Sequence, residues 1–100
     1  MRSEQLNFDH VIFSGHAVQR MFKGSISKGE VLEVLRCGEV IDSYPDDRPY
    51  PSHLFLGFAG SRPLHVVIGV DESALRATIV TAYVPDPDLW TDDFESRREP

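Results

Sequence analysis

His16 and Arg20 are the first residues in this sequence whose types and spacing could do chemistry. They are four residues apart in a predicted helix, so their side chains share one face, together with Gln19 and Lys23. An imidazole can take or give a proton near neutral pH, and a guanidinium binds anions. The same spacing also fits an ordinary residue at a helix start followed by a solvated charge.

His65 and Tyr83 are the second candidate pair. His65 interrupts a strongly apolar strand, on the face that also carries Gly69, and a small residue beside an imidazole leaves room for a ligand. A core histidine bonded to the backbone is the alternative. Tyr83 ends the last predicted strand, where a phenol could stack on a base or donate to a phosphate. A half-buried packing tyrosine is the alternative there.

The histidines do not predict a metal site. His10, His16, His53 and His65 lack the short paired spacings of zinc modules, and Cys37 has no cysteine partner. The sequence also lacks a GxGxxG motif, a P-loop and a GxSxG elbow. We therefore expect neither a metal nor a cofactor.

Two short helices are expected to position His16 and Arg20. The first spans about 15–23. The start of the second is signalled by Ser27-Lys28-Gly29-Glu30, which has capping-box spacing. Gly38 is expected to end the second helix in a left-handed conformation. The apolar stripes that should be buried are Ala17, Val18, Met21 and Phe22 in the first helix and Val31, Leu32, Val34 and Leu35 in the second.

Four strands are predicted after the helices, at about 40–44, 53–59, 64–70 and 76–83, because apolar residues alternate there and turn residues separate the runs. The predicted fold is therefore α+β, with two short N-terminal helices packed on an antiparallel sheet of about four strands. The predicted core is Val31, Leu35, Leu56, Val66 and Ile68.

Composition predicts a single domain over residues 1–100, with an ordered core at about 11–94 and an acidic C-terminal tail at 95–100 that frays. Within that core, Leu89, Trp90 and Phe94 are expected to fold back on the body of the domain. A lone cysteine, no signal-peptide pattern and no long apolar run predict a soluble cytoplasmic protein. The net charge is −6, and six acids against two arginines after residue 85 account for much of it. This charge opposes a nucleic-acid function, although residues 11–38 are locally basic.

Several motifs together resemble a small bacterial family catalogued as a domain of unknown function. They are Phe13 to Met21, Ile26-Ser27, Gly38 to Ile41, Tyr44-Pro45, Pro63 to Val67, and Thr81 to Asp86. The resemblance implies a helix-helix-sheet fold similar to the RelE-like toxin ribonucleases of type II toxin-antitoxin systems. It also implies metal-independent endoribonuclease activity, a small zinc-finger antitoxin as partner, and a site formed by His16, Arg20, His65 and Tyr83.

The first hypothesis is thus an RNA endonuclease in which His16 and His65 are the acid and base, in an order the sequence does not assign. Arg20 would bind the phosphate, and Tyr83 would orient the reacting groups. The second hypothesis is a non-catalytic protein-interaction domain that uses the open sheet face or the helix pair. The third is a small-ligand-binding domain.

Overall fold

The computed structural model describes residues 6–99, which form an α+β fold with two helices and one five-stranded mixed sheet. Along the sheet the strand order is β1-β5-β4-β3-β2, with β1 parallel to β5 and every other pair antiparallel. In chain order the elements are β1 (His10–Phe13), α1 (Gly15–Gly24), α2 (Lys28–Cys37), β2 (Glu39–Tyr44), β3 (Ser52–Ala59), β4 (Arg62–Asp71) and β5 (Arg76–Tyr83).

Both helices begin at a serine cap. The Ser14 side chain accepts a hydrogen bond from the Ala17 amide, and Ser27 forms the predicted reciprocal capping box with Glu30. These bonds satisfy amides that have no partner within the first helical turn. Within residues 6–99, no helix has the length and apolar character needed to cross a membrane.

The helix ends differ from the sequence prediction. The left-handed residue is Ser25, with φ of 54°, after α1. Gly38 caps α2 in an extended conformation, with φ of −81° and ψ of −174°, so the predicted left-handed Gly38 is wrong. A Cβ on Gly38 would lie 2.5 Å from the Leu56 carbonyl oxygen. Residue 38 is therefore a glycine because α2 approaches β3 closely there, and not because the backbone is left-handed.

The four predicted strands are all present, but the sheet has a fifth strand, β1, that was not predicted. It precedes the helices, so they are not the first elements of the fold. β1 pairs in parallel with β5, joining Phe13 to Ile79 in register. Parallel strands are not joined by a tight turn, so no turn residues next to this four-residue strand indicate which strand it pairs with.

The main core lies between the helices and one face of the sheet, and its largest sheet residues include Phe55, Leu64 and Ile68. The five residues predicted to be buried are all buried, as expected. Leu56 is nevertheless on the other face, because it pairs with His65 whereas Phe55 pairs with Val66. The sheet is therefore covered on both faces.

Three apolar helix residues predicted to be buried are exposed. Phe22 is 86% exposed, and Val18 and Leu32 are each nearly half exposed. In α1 the sheet covers only the narrow stripe of Ala17 and Met21. A short helix that lies over one strand buries less of its circumference than its apolar pattern allows.

The C-terminal segment, residues 86–99, crosses the second face of the sheet. Trp90 is buried there and forms a β-bridge with Arg97, while the Arg98 guanidinium bonds the Pro87 carbonyl and the Asp92 carboxylate. Leu89 is exposed, unlike the prediction that it packs on the body. Arg97 and Arg98 of the predicted tail at 95–100 make these contacts. That the tail frays stays a prediction, and Pro100 lies outside the described residues.

Candidate functional site

His65 is at the centre of the candidate site. It is wholly buried on β4, on the face of the sheet away from the helices. Its Nε2 atom lies 2.8 Å from the Phe94 carbonyl oxygen, and its Nδ1 atom lies 3.3 Å from the Tyr83 hydroxyl oxygen. Both ring nitrogens therefore have partners within the protein.

These two contacts fix the direction of the hydrogen bonds. A carbonyl oxygen only accepts, so Nε2 carries the hydrogen and donates to Phe94. In the neutral ring Nδ1 is then the acceptor, and the Tyr83 hydroxyl donates to it. Among residues 6–99, no hydrogen bond to the Tyr83 oxygen other than this contact with His65 is formed.

The surroundings keep His65 neutral and Tyr83 protonated. The Trp90 ring meets the imidazole edge-on, with centroids 4.4 Å apart. Burial lowers the pKa of His65 below its ordinary value of 6.5. Burial also raises the pKa of Tyr83, while the positive charges of Arg97 and Arg20 act in the opposite direction. A neutral base thus faces a protonated phenol.

Arg20 lies against Tyr83 from the helix side. Its guanidinium carbon is 5.6 Å from the centre of the phenol ring, within the range of a cation–π contact. Arg20, Lys23 and Tyr83 line an open groove of about 430 Å³. We call this the basic groove, because its two charged side chains are cations and it suits an anion such as phosphate.

The structure brings together three of the four predicted site residues: Arg20, Tyr83 and His65. His16 is exposed in the first turn of α1 and makes no side-chain hydrogen bond or ring contact with any residue between 6 and 99. The helices and the His65 ring lie on opposite faces of the sheet. The hypothesised pairing of His16 with His65 as acid and base is therefore not formed in this structure.

A second groove, of about 530 Å³, lies on the other side of Tyr83. We call it the aromatic groove, because Tyr44, Tyr83 and Trp90 line it above an aliphatic floor. The C-terminal segment and β2 supply its polar rim. The lining residues are Ile41, Asp42, Tyr44, Leu54, Val67, Tyr83, Trp90, Glu95, Ser96 and Arg97.

A groove of about 560 Å³ at the end of α2 does not suit a polyanion. Four carboxylates line it, from Glu33, Glu39, Asp93 and Glu95. The Cys37 thiol in it donates to Glu33, which raises the pKa of the thiol and keeps it protonated. Across residues 6–99, no three His, Cys, Asp or Glu side chains are grouped so that they could hold a metal ion.

A family model described as a domain of unknown function, DUF4258, matches residues 13–84. The chain belongs to the DUF4258 family. The DUF4258 match includes His16, Arg20, His65 and Tyr83, and it ends before the C-terminal segment that covers His65. No curated protein and no solved structure matches the chain.

The C-terminal segment supplies three groups that the sequence analysis did not assign to the site: the Trp90 ring, the Phe94 carbonyl and the Arg97 guanidinium. The single tryptophan and the arginine pair within an acidic stretch were the available signals. No sequence signal could have indicated the Phe94 carbonyl, because every residue has a backbone carbonyl and the path of the chain decides which one reaches His65.

Proposed function

We propose that this DUF4258 chain is a RelE-like, metal-independent endoribonuclease of a toxin-antitoxin pair. One observation supports the proposal most: the Tyr83 hydroxyl donates to His65 on one side, and the Tyr83 ring lies against Arg20 on the other. A proton acceptor and a phosphate-binding cation then lie at the same phenol. RNA cleavage without a metal needs these groups together.

In the proposed reaction, the RNA 2′-hydroxyl gives its proton to the Tyr83 oxygen while Tyr83 passes its own proton to Nδ1 of His65. The 2′-oxygen forms a bond to phosphorus, and the bond from phosphorus to the 5′-oxygen breaks. The leaving 5′-oxygen takes a proton from solvent water. The hydroxide that remains takes a proton from Tyr83 while His65 returns its own to Tyr83, so both side chains regain their starting states. The Phe94 carbonyl stabilises the imidazolium that forms, because it already accepts from Nε2.

His65 and Tyr83 exchange roles relative to the sequence hypothesis. In that hypothesis His65 acts directly on the substrate and Tyr83 orients it. Because His65 is wholly buried behind Tyr83, we propose that Tyr83 meets the substrate and His65 holds the proton. Arg20 and Lys23 in the basic groove neutralise charge on the phosphate.

Substitution of Tyr83 by phenylalanine tests the proposal. Tyr83→Phe keeps the ring against Arg20 and removes the oxygen, so cleavage of single-stranded RNA in the presence of chelator should fall roughly 10²- to 10⁴-fold. Tyr50→Phe is the matched control, since Tyr50 lines a different groove. The assay includes arms with and without ribosomes. Equal cleavage by wild type and Tyr83→Phe, or no cleavage by wild type in any arm, would overturn the proposal.

A non-catalytic interaction domain is the second candidate function, and the exposed face of α1 favours it. Val18 and Phe22 are four residues apart on that face, and Phe22 is almost fully exposed. Apolar side chains that are exposed next to one another form the kind of patch that marks many protein-binding surfaces.

This second function is tested with a small Cys-rich protein if one is encoded beside this chain. Phe22→Ser should abolish a complex with it, whereas Leu89→Ser, at an exposed leucine of the C-terminal segment, should leave the complex intact. A complex that survives Phe22→Ser would remove α1 as the binding face.

A further inference from the structure

We propose that the aromatic groove is a guanine-binding subsite, which holds the base of the nucleotide whose phosphate lies in the basic groove. The inference rests on the proposed ribonuclease function and adds to it the base that the site prefers. It would place base recognition on β2 and the C-terminal segment, and the reaction on Tyr83.

The shape of the groove suits a flat ring. Leu54 and Val67 form an aliphatic floor from adjacent strands, and the rings of Tyr44 and Trp90 stand at its sides. Tyr44 is partly exposed, while Trp90 is almost wholly buried and held in place by its edge-on contact with His65. Proteins bind single-stranded bases by stacking them on aromatic rings of this kind.

The polar rim selects among bases. Asp42 and Arg97 both line the groove, and within residues 6–99 neither makes an ion pair. One oxygen of Asp42 accepts from the Ser43 amide. Burial raises the pKa of the Tyr44 phenol, and the Asp42 carboxylate beside it acts in the same direction. A base stacked on Tyr44 would therefore present its edge to Asp42.

Guanine is the base whose edge matches this rim. It offers two adjacent donors, N1–H and the N2 amino group, which a carboxylate accepts together, and its O6 acceptor would face Arg97. Adenine has only one donor group on that edge, beside an unprotonated nitrogen. Uracil has one N–H between two acceptors, and cytosine has an amino group beside an acceptor nitrogen. None of these three satisfies both oxygens of Asp42.

The two grooves share Tyr83 as a common wall. A nucleotide with its base in the aromatic groove and its phosphate beside Arg20 and Lys23 would therefore lie across a single side chain. Its ribose would then pass the Tyr83 hydroxyl, the oxygen that we propose takes the 2′ proton. Arg97 would meet the same nucleotide from the side opposite to Arg20.

Equilibrium binding of the four 3′-nucleoside monophosphates tests the subsite without any need for cleavage. Titrations followed by NMR should show 3′-GMP binding at least about fivefold more tightly than the other three, since a bidentate base contact is worth about 1–3 kcal/mol. Asp42→Asn should abolish the preference, because an amide cannot accept both guanine donors. Asp46→Asn is the control with the same charge change, at an exposed turn after β2.

The outcomes distinguish a failure of the subsite from a failure to fold and from a failure of the proposed ribonuclease function. Asp42 is exposed on an edge strand, and asparagine can still accept from the Ser43 amide, so thermal unfolding of Asp42→Asn should match that of wild type. Selective 3′-GMP binding by a protein that cleaves no RNA would uphold the subsite and overturn the ribonuclease. Cleavage with equal binding of all four nucleotides would uphold the ribonuclease and overturn the subsite. A preference that persists in Asp42→Asn would also overturn it as described.

Discussion

The Nε2 atom of His65 lies 2.8 Å from the carbonyl oxygen of Phe94, a residue beyond the part of the chain that the DUF4258 model matches. This bond determines which imidazole nitrogen faces Tyr83 as an acceptor. A backbone group of the C-terminal segment therefore sets the proton-accepting state of a residue in the matched region.

The stability of the protein should fall in mild acid partly because of His65. Burial holds its folded pKa below the ordinary 6.5 that it keeps in the unfolded chain. As the pH falls through 6.5, the unfolded chain takes up the proton first, so the free energy of unfolding decreases; above that pH the contribution is complete. Melting temperatures of wild type and His65→Gln between about pH 8 and 5 should show a smaller decrease for the variant.

His53 provides the control for that measurement. Burial also lowers its pKa, and its Nδ1 atom lies 2.9 Å from the Ser43 hydroxyl oxygen. His53→Gln should therefore remove a separate part of the pH dependence, and the double variant should lose both parts. An unchanged pH profile in His65→Gln would mean that His65 is not held neutral by the fold.

Removal of the Trp90 ring should make His65 easier to protonate. Trp90→Ala opens the packed side of the imidazole to water, and burial is the largest cause of its lowered pKa. An NMR titration of the His65 ring should show its pKa moving up towards 6.5. Leu89→Ala, at the exposed neighbouring residue, should leave it where it is in wild type. A shift of equal size in both variants would contradict this account.

The buried and exposed faces of α2 can be compared with two leucine-to-alanine substitutions. Leu35 is 5% exposed in the main core, so Leu35→Ala should destabilise the fold by about 2–5 kcal/mol. Leu32, on the same helix, is 44% exposed, so Leu32→Ala should cost only about 0.5–1 kcal/mol. Denaturant unfolding of both variants gives the two values. Equal losses would show that the assignment of helix faces is wrong.

Two glycines of the second helical region should respond in opposite directions to alanine. At Gly38 the added methyl would lie 2.5 Å from the Leu56 carbonyl oxygen, so Gly38→Ala should destabilise by about 1–3 kcal/mol. At Gly29 the nearest atom would be 3.8 Å away, in ordinary contact. Gly29→Ala should therefore stabilise by about 0.4–1 kcal/mol, because it restricts the unfolded chain. Chemical denaturation distinguishes the two signs.

Sequence patterns correctly predicted the structural features that depend on residues close together in the chain. The capping box of Ser27 and Glu30 and the alternation of the later strands are local features, and both were predicted correctly. The exposure of Phe22 and the pairing of β1 depend on elements distant in the chain, and neither was predicted.

The candidate site follows the same division. Residue types identified Arg20, His65 and Tyr83 as candidates, because imidazole, guanidinium and phenol groups have recognisable chemistry. Their arrangement depends on strand register and on the C-terminal segment crossing the sheet, and neither follows from spacing. The imidazole of His16 could do the same chemistry as that of His65, but the fold leaves His16 exposed to solvent.

The packing of α1 on β5, the last strand of the sheet in chain order, also determines when this fold can form during synthesis. α1 packs mainly on β5, so Ala17 and Met21 have no sheet surface to cover until the last strand has left the ribosome. The antiparallel strands β2 to β4 can pair earlier, since each follows its partner in the chain. At roughly 5–20 residues per second, the apolar face of α1 stays open for several seconds on each nascent chain, which gives chaperones time to bind it.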